Sequence, residues 1–214
     1  MTKRYIPSME HHSTEKEPSV DRRQPSTTTT RILLLVGDQI GANCISGGRK
    51  LSILDKFARF GWNTTLAGTA TKVSPCSFAA KRGAKPLSLD CLVEDIADIR
   101  AFDAISILPG PSHNALSQSK AAISLIRDAF AAGLIMSGWC HGVRVLAAAG
   151  VVDGRRVVCH SDDREVIENA GGKFVGHDHP PVIDGNLVTC ARSYYYRAKN
   201  AEAIRSAIRA RAPL

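Results

Sequence analysis

The segment Ser137-Gly138-Trp139-Cys140-His141-Gly142 constrains the fold of this 214-residue chain more than any other. An apolar run, Gly133 to Met136, precedes it, and a helix-like run, Val143 to Ala149, follows it. A cysteine flanked by glycines at a strand-to-helix junction has the pattern of a nucleophile elbow. Such a turn lifts the side chain clear of a sheet and sets it beside the N–H groups that open a helix. Those dipoles favour thiolate over thiol. The sequence therefore predicts a reactive Cys140 with a lowered pKa.

The rest of the chain supplies the sheet that such a turn needs. Ile32 to Val36 is a continuous apolar run, as expected of a strand buried on both faces. Residues 49–60 show helical spacing at Leu51, Leu54, Phe57 and Ala58, ending at Gly61. Thr64 to Ala67 and Ala104 to Leu108 read as strands, the second running into Pro109-Gly110-Pro111. Lys85 to Leu89 reads as extended and Val93 to Ile99 as helical. Residues 121–132 read as a helix stopped by Gly133, 134–136 as a central strand, 156–159 as another strand, and 162–170 as a helix closed by Gly171-Gly172. Val182-Ile183 and Leu187-Val188-Thr189 flank Asp184-Gly185-Asn186, a hairpin turn. Residues 200–210 form a closing helix. Strands alternating with helices imply a largely parallel sheet covered on both faces. The active site of such a sheet lies at the carboxyl ends of its strands, where Cys140 falls.

Composition narrows the partners. Residues 1–30 are rich in Ser, Thr, Pro and charge and read as a disordered tail, leaving 31–214 as one α/β domain. No apolar stretch approaches the roughly 18 residues of a membrane span, and the start lacks the apolar core of a secretory signal. These features predict a cytoplasmic protein without a membrane partner. Six scattered cysteines with no CxxC pair predict free thiols. The net charge of +8 is carried largely by residues such as Arg192, Arg197, Lys199, Arg205 and Arg209, a solvated helix face rather than a nucleic-acid surface. His177-Asp178-His179 has a metal-ligand spacing but no further ligand at a fixed offset, so no metal is expected. The glycines from Gly41 to Gly48 lack the Gly-Lys-Ser/Thr ending of a phosphate loop, so no nucleotide or other cofactor is expected.

Three segments carry a family resemblance. They are Phe102-Asp103-Ala104 through Leu108-Pro109-Gly110, then Cys140-His141-Gly142 with Leu146 through Arg155, then Val182 through Thr189 with Arg192 just after. In order and spacing they resemble the ThiJ/PfpI superfamily, relatives of class I glutamine amidotransferases. The resemblance spans about residues 31–210. It implies a flavodoxin-like three-layer sandwich that forms a homodimer or higher homo-oligomer. Superfamily members include cysteine-dependent hydrolases, glyoxalases, deglycases, isonitrile hydratases and chaperone-like stress proteins.

The resemblance implies Cys140 as nucleophile and His141 as its proton partner. It also places His160 near the pocket. Gly110, Pro111, Gly138 and Trp139 are expected around the substrate and its oxyanion site; Pro111 has no N–H, so the donors are its neighbours. The chain departs from the family in two places. The catalytic Glu or Asp usual after the first strand is replaced by a longer loop, residues 37–48, in which Asp38 is the sole carboxylate. Asp38 either orients the thiol or is an ordinary strand-end aspartate. The stretch Pro111 to Ala115 lacks the acid that PfpI-type proteases use, which argues against proteolysis. Cys44 in the long loop is a candidate resolving thiol. Tyr194-Tyr195-Tyr196 is a candidate wall of the pocket or of a subunit interface. The resulting expectation is a cysteine-dependent hydrolase, hydratase or lyase for a small carbonyl, amide, nitrile or isonitrile substrate. The alternative is a non-enzymatic redox-sensing or chaperone-like stress protein.

Overall fold

The computed structural model describes residues 29–45, 51–111 and 113–211. Most of the expected tail, and Gly47 and Gly48 of the long loop, lie outside the described residues. In chain order, strand β1 (Arg31–Leu35) and the short β2 (Gln39–Ile40) are followed by helices α1 (Ala42–Ile45) and α2 (Ile53–Arg59). Strands β3 (Asn63–Gly68) and β4 (Lys72–Pro75), helix α3 (Ser77–Ala80), and strands β5 (Leu87–Ser88) and β6 (Cys91–Leu92) come next. Strand β7 (Ala104–Ile107) leads to α4 (Asn114–Gln118) and α5 (Lys120–Ala131), and β8 (Ile135–Trp139) to α6 (Val143–Ala148). The chain ends with β9 (Arg156–Val157), α7 (Arg164–Asn169), β10 (Lys173–Phe174), the hairpin β11 (Val182–Asp184) and β12 (Leu187–Cys190), and α8 (Ser193–Ala210).

Seven strands form the main sheet in the order β11-β12-β8-β7-β1-β3-β6. Every neighbouring pair is parallel except β11 and β12. Two small sheets, β10-β9 and β2-β4-β5, flank it. The alternation of side chains along a strand divides the core into two layers. Leu33 and Leu35 of β1 enter one cluster with the buried stripe of α5, Ala122, Leu125, Ile126 and Ala129. Ile32 and Leu34 enter the other, with Phe57 of α2 and Ile204 of α8. The result is a flavodoxin-like sandwich of helix, sheet and helix. No helix among the described residues is long and apolar enough to cross a membrane.

Local signals explain most boundaries. A capping box starts α2: Asp55 N–H donates to Ser52 Oγ (3.0 Å), and Ser52 N–H donates to Asp55 Oδ2 (2.9 Å). Three segments differ from expectation. Residues 93–99 form no α-helix, only 3-10 turns at 93–95 and 99–101. The strand expected at 134–136 runs on to Trp139. Helix α8 begins seven residues before position 200. Its inward positions are Ser193, Arg197 and Asn200 before Ala201 and Ile204, so its first two turns carry no apolar period for a sequence reading to detect.

Candidate active site

Strand β8 lies between β7 and β12, and its carboxyl end delivers Cys140 at the sheet edge. Cys140 has φ +52°, the sole non-glycine positive φ among the described residues. A left-handed conformation costs a side-chain-bearing residue roughly 1–2 kcal/mol and persists only where the surroundings enforce it. The 3-10 turn Cys140–Gly142 and then α6 follow, with Val143 N–H donating to Cys140 C=O. Gly142 must be glycine, since a Cβ there would stand 2.9 Å from the Ile107 carbonyl oxygen.

The next side chain, His141, places Nδ1 2.8 Å from Asp163 Oδ2. Asp163 is 2% exposed and ends the 3-10 turn 161–163 that follows β9. Arg144 Nε lies 3.9 Å from its other oxygen. The His160 ring stacks against His141 with centroids 4.2 Å apart, and His177 meets His160 edge-on at 4.8 Å. Cys140 and His141 both open onto a cavity of about 500 Å³. Gly110 and Pro111 form another wall, held close because the Gly110 backbone passes Gln39 C=O where a Cβ would be 2.0 Å away.

The electrostatics reverse the expectation for the thiol. Burial, with Asp163 and Asp162 adding to it, pushes Cys140 up to about 11; the His141 backbone N–H works in the opposite direction. The helix after the elbow has only six residues and starts beyond a 3-10 turn, so its dipole is weak at the sulfur. Cys140 is thus a neutral thiol at pH 7, and it needs a base to become a nucleophile.

A family model described as the DJ-1/PfpI family matches residues 50–204. The chain belongs to the DJ-1/PfpI family. Among relatives within it, a deglycase of Thermococcus kodakarensis is 30% identical over 98 residues, which cover 46% of this chain and 58% of that protein. The protein/nucleic acid deglycase 2 of Escherichia coli is 27% identical over 138 residues, covering 64% and 78%. The match thus spans little more than half the length of the archaeal relative. Among solved structures, the ThiJ/PfpI domain protein of Brachyspira murdochii superposes with a TM-score of 0.69 at 18% identity, covering 86% of this chain and all of that one. A two-domain protein of Anabaena variabilis with a DJ-1/ThiJ/PfpI-like domain gives 0.70 at 20% identity, covering 83% and 48%.

Within this family fold, several expected residues lie elsewhere. Trp139 is fully buried and packs edge-on to Phe57 (6.4 Å), its indole N–H donating to Ser106 Oγ at 2.9 Å. It belongs to the core, not to the cavity wall, because strand alternation turns it to the α2–α8 side. Gly138 is a mid-strand position whose missing Cβ lets Val143 and Leu146 pack; it supports α6 and does not line the cavity. His160 stacks on His141 and is not a wall residue. Asp38 Oδ1 accepts from Ala115 N–H (2.9 Å) at the start of α4. The acid on the histidine is Asp163, not Asp38. Cys44 is fully buried, its Sγ 3.4 Å from the Pro109 carbonyl oxygen, and burial pushes its thiol far up. The second thiol at the cavity is Cys76. His177 Nδ1 accepts from Ser161 N–H and His179 Nδ1 meets Pro180 C=O. Tyr194 lines the cavity, whereas Tyr196 Oη donates to Asp178 C=O. Sequence reasoning missed Asp163, Cys76, Phe78 and Ser193. The one available signal was the acidic pair Asp162-Asp163 just after His160-Ser161, which reads equally well as the acidic first turn of a helix.

Proposed function

We propose that this chain is a cysteine-dependent hydrolase or lyase acting on a small electrophilic carbonyl compound. The observation that carries the reading is that Cys140 and His141 face one cavity, with buried Asp163 behind them at 2.8 Å from His141 Nδ1. An ionised carboxylate only accepts, so Asp163 holds the proton on Nδ1 of His141 and leaves the Nε2 lone pair as the base. With the thiol resting at about 11, His141 takes the proton as sulfur attacks carbon. The carbonyl π bond becomes an alkoxide, which takes up a proton to give a hemithioacetal. With an α-oxoaldehyde the C–H proton of that carbon then moves to the neighbouring carbonyl carbon, whose oxygen becomes a hydroxyl. Water cleaves the resulting 2-hydroxy thioester to the 2-hydroxy acid and the free Cys140 thiol. The Gly110 turn faces the same cavity and is the candidate oxyanion wall. The names of the relatives, deglycases, fit a carbonyl-derived substrate. The redox-sensing alternative calls for an accessible, low-pKa thiolate, which the raised Cys140 pKa disfavours.

The test is turnover of a panel of α-oxoaldehydes and their amine adducts by wild type, Cys140→Ala and His141→Gln. Cys140→Ala is expected to abolish turnover, and His141→Gln to lower it by about 10²-fold or more. Undiminished turnover in folded Cys140→Ala would overturn the proposal.

A further inference from the structure

The cavity beside Cys140 is shaped for more than a two- or three-carbon aldehyde. Its volume of about 500 Å³ falls within the range of pockets that enclose drug-sized ligands. No described residue lining it is Lys, Arg, Asp or Glu. Among the described lining residues, then, none offers a countercharge to a phosphate or carboxylate on the substrate. Two rings from separate elements line the same cavity: Phe78 of α3 and Tyr194 of α8. Both are large aromatic side chains left more than half exposed, at 57% and 54%. Each is steadied by a guanidinium. Arg82 lies 3.5 Å from the Phe78 centroid, and Arg197, itself 3% exposed, lies 5.8 Å from that of Tyr194. Tyr195 adds an edge contact to Tyr194 at 5.4 Å.

We infer that the site takes an uncharged substrate whose electrophilic carbon is attached to an aryl or similarly flat apolar group, recognised by Phe78 and Tyr194. The inference rests on Cys140 being the reacting residue. The rings gain most from a flat partner, since aromatic contacts add to simple area burial and contribute about three- to tenfold in affinity per ring. Gln39, Asn43 and Ser193 supply neutral hydrogen-bonding groups around it.

The test uses alkylation, which needs no knowledge of the natural reaction. Cys140 sulfur displaces iodide: an S–C bond forms, C–I breaks, iodide leaves with the electron pair, and the thiol proton passes to His141 or solvent. Site-resolved mass spectrometry gives the rates for iodoacetanilide, iodoacetamide and iodoacetate at Cys140, with Cys91 as internal reference. The aryl reagent is expected to label Cys140 at least about fivefold faster than iodoacetamide after the reference correction, with saturation. Iodoacetate is expected to lag. Phe78→Ala and Tyr194→Ala should each cut the aryl preference by about threefold or more. No preference, or a preference unchanged in both variants, overturns the inference. Acetanilide is also titrated into Cys140→Ser and followed by NMR. Binding there, weakened by Phe78→Ala and Tyr194→Ala, supports the aryl site even if Cys140 fails to alkylate, an outcome that instead sinks the nucleophile reading. Absence of acetanilide binding together with absence of aryl preference overturns the inference alone.

Discussion

Cys140 combines a left-handed backbone with a thiol that resists ionisation, and both traits follow from its neighbours. The carboxylates of Asp163 and Asp162 oppose a thiolate, while Asp163 also holds the His141 ring, the base in the proposed reaction. One substitution therefore has two effects of opposite sign. In Asp163→Asn a negative neighbour disappears, so the Cys140 thiol pKa should fall, read from thiolate ultraviolet absorbance against pH. Turnover should fall too, by about 10²-fold or more, because the histidine loses its tautomer control. A merely structural role would lower activity without moving the thiol downwards. An unchanged pKa and unchanged rate in a folded variant would remove Asp163 from the mechanism.

At the scale of elements, the site depends on how β8 is anchored. Ser106 of β7 accepts the buried indole N–H of Trp139, one residue before the elbow. Ser106→Ala leaves that donor without a partner and should cost about 1–3 kcal/mol in chemical denaturation. A cost near zero would mean that the bond contributes nothing net. Asp38 acts on a different element. It joins the end of β1 to the first turn of α4 through Ala115 N–H. Asp38→Ala should cost about 1 kcal/mol, as loss of a helix-start acceptor does. Turnover should stay within about threefold, well short of the loss a positioned acid–base group causes. A tenfold or larger fall in turnover at unchanged stability would return Asp38 to the reaction.

The whole molecule should be most stable in a window bounded by buried titratable groups. His113 is 1% exposed, and burial pushes it down to about 4 from an ordinary 6.5, against a smaller opposing pull from Asp38. Below 6.5 the unfolded chain binds a proton that the fold refuses, so stability is lost as pH falls from 6.5 through 4. The thiols act at the other end. Burial raises Cys44, Cys140, Cys159 and Cys190 above an ordinary 9, the last two to about 12. Above 9 the unfolded chain ionises first, so stability is lost as pH rises from there through the folded values. Guanidinium denaturation at about pH 5, 7.5 and 10 should give the highest midpoint in the middle, and His113→Gln should flatten the acid side. A midpoint that does not vary with pH would contradict these burials.

The sequence by itself determined what depends on neighbours in the chain. The run Ile32 to Val36 marks a strand buried on both faces, and its alternation already divides the two core layers. The glycines around Cys140 mark a tight strand-to-helix turn, and Asp184-Gly185-Asn186 marks the hairpin. Apolar period and turn chemistry report which residues leave water and where the chain reverses. They do not report which polar groups meet. Asp163 reaches His141 across 22 residues because the turn after β9 returns beside the end of β8. Phe78 and Tyr194, from α3 and α8, meet at one cavity for the same kind of reason. The charge state of Cys140 was the property least accessible to a linear reading. A dipole can be inferred from the next few residues, but the dehydration and the carboxylates that outweigh it exist only once the strands are ordered in space.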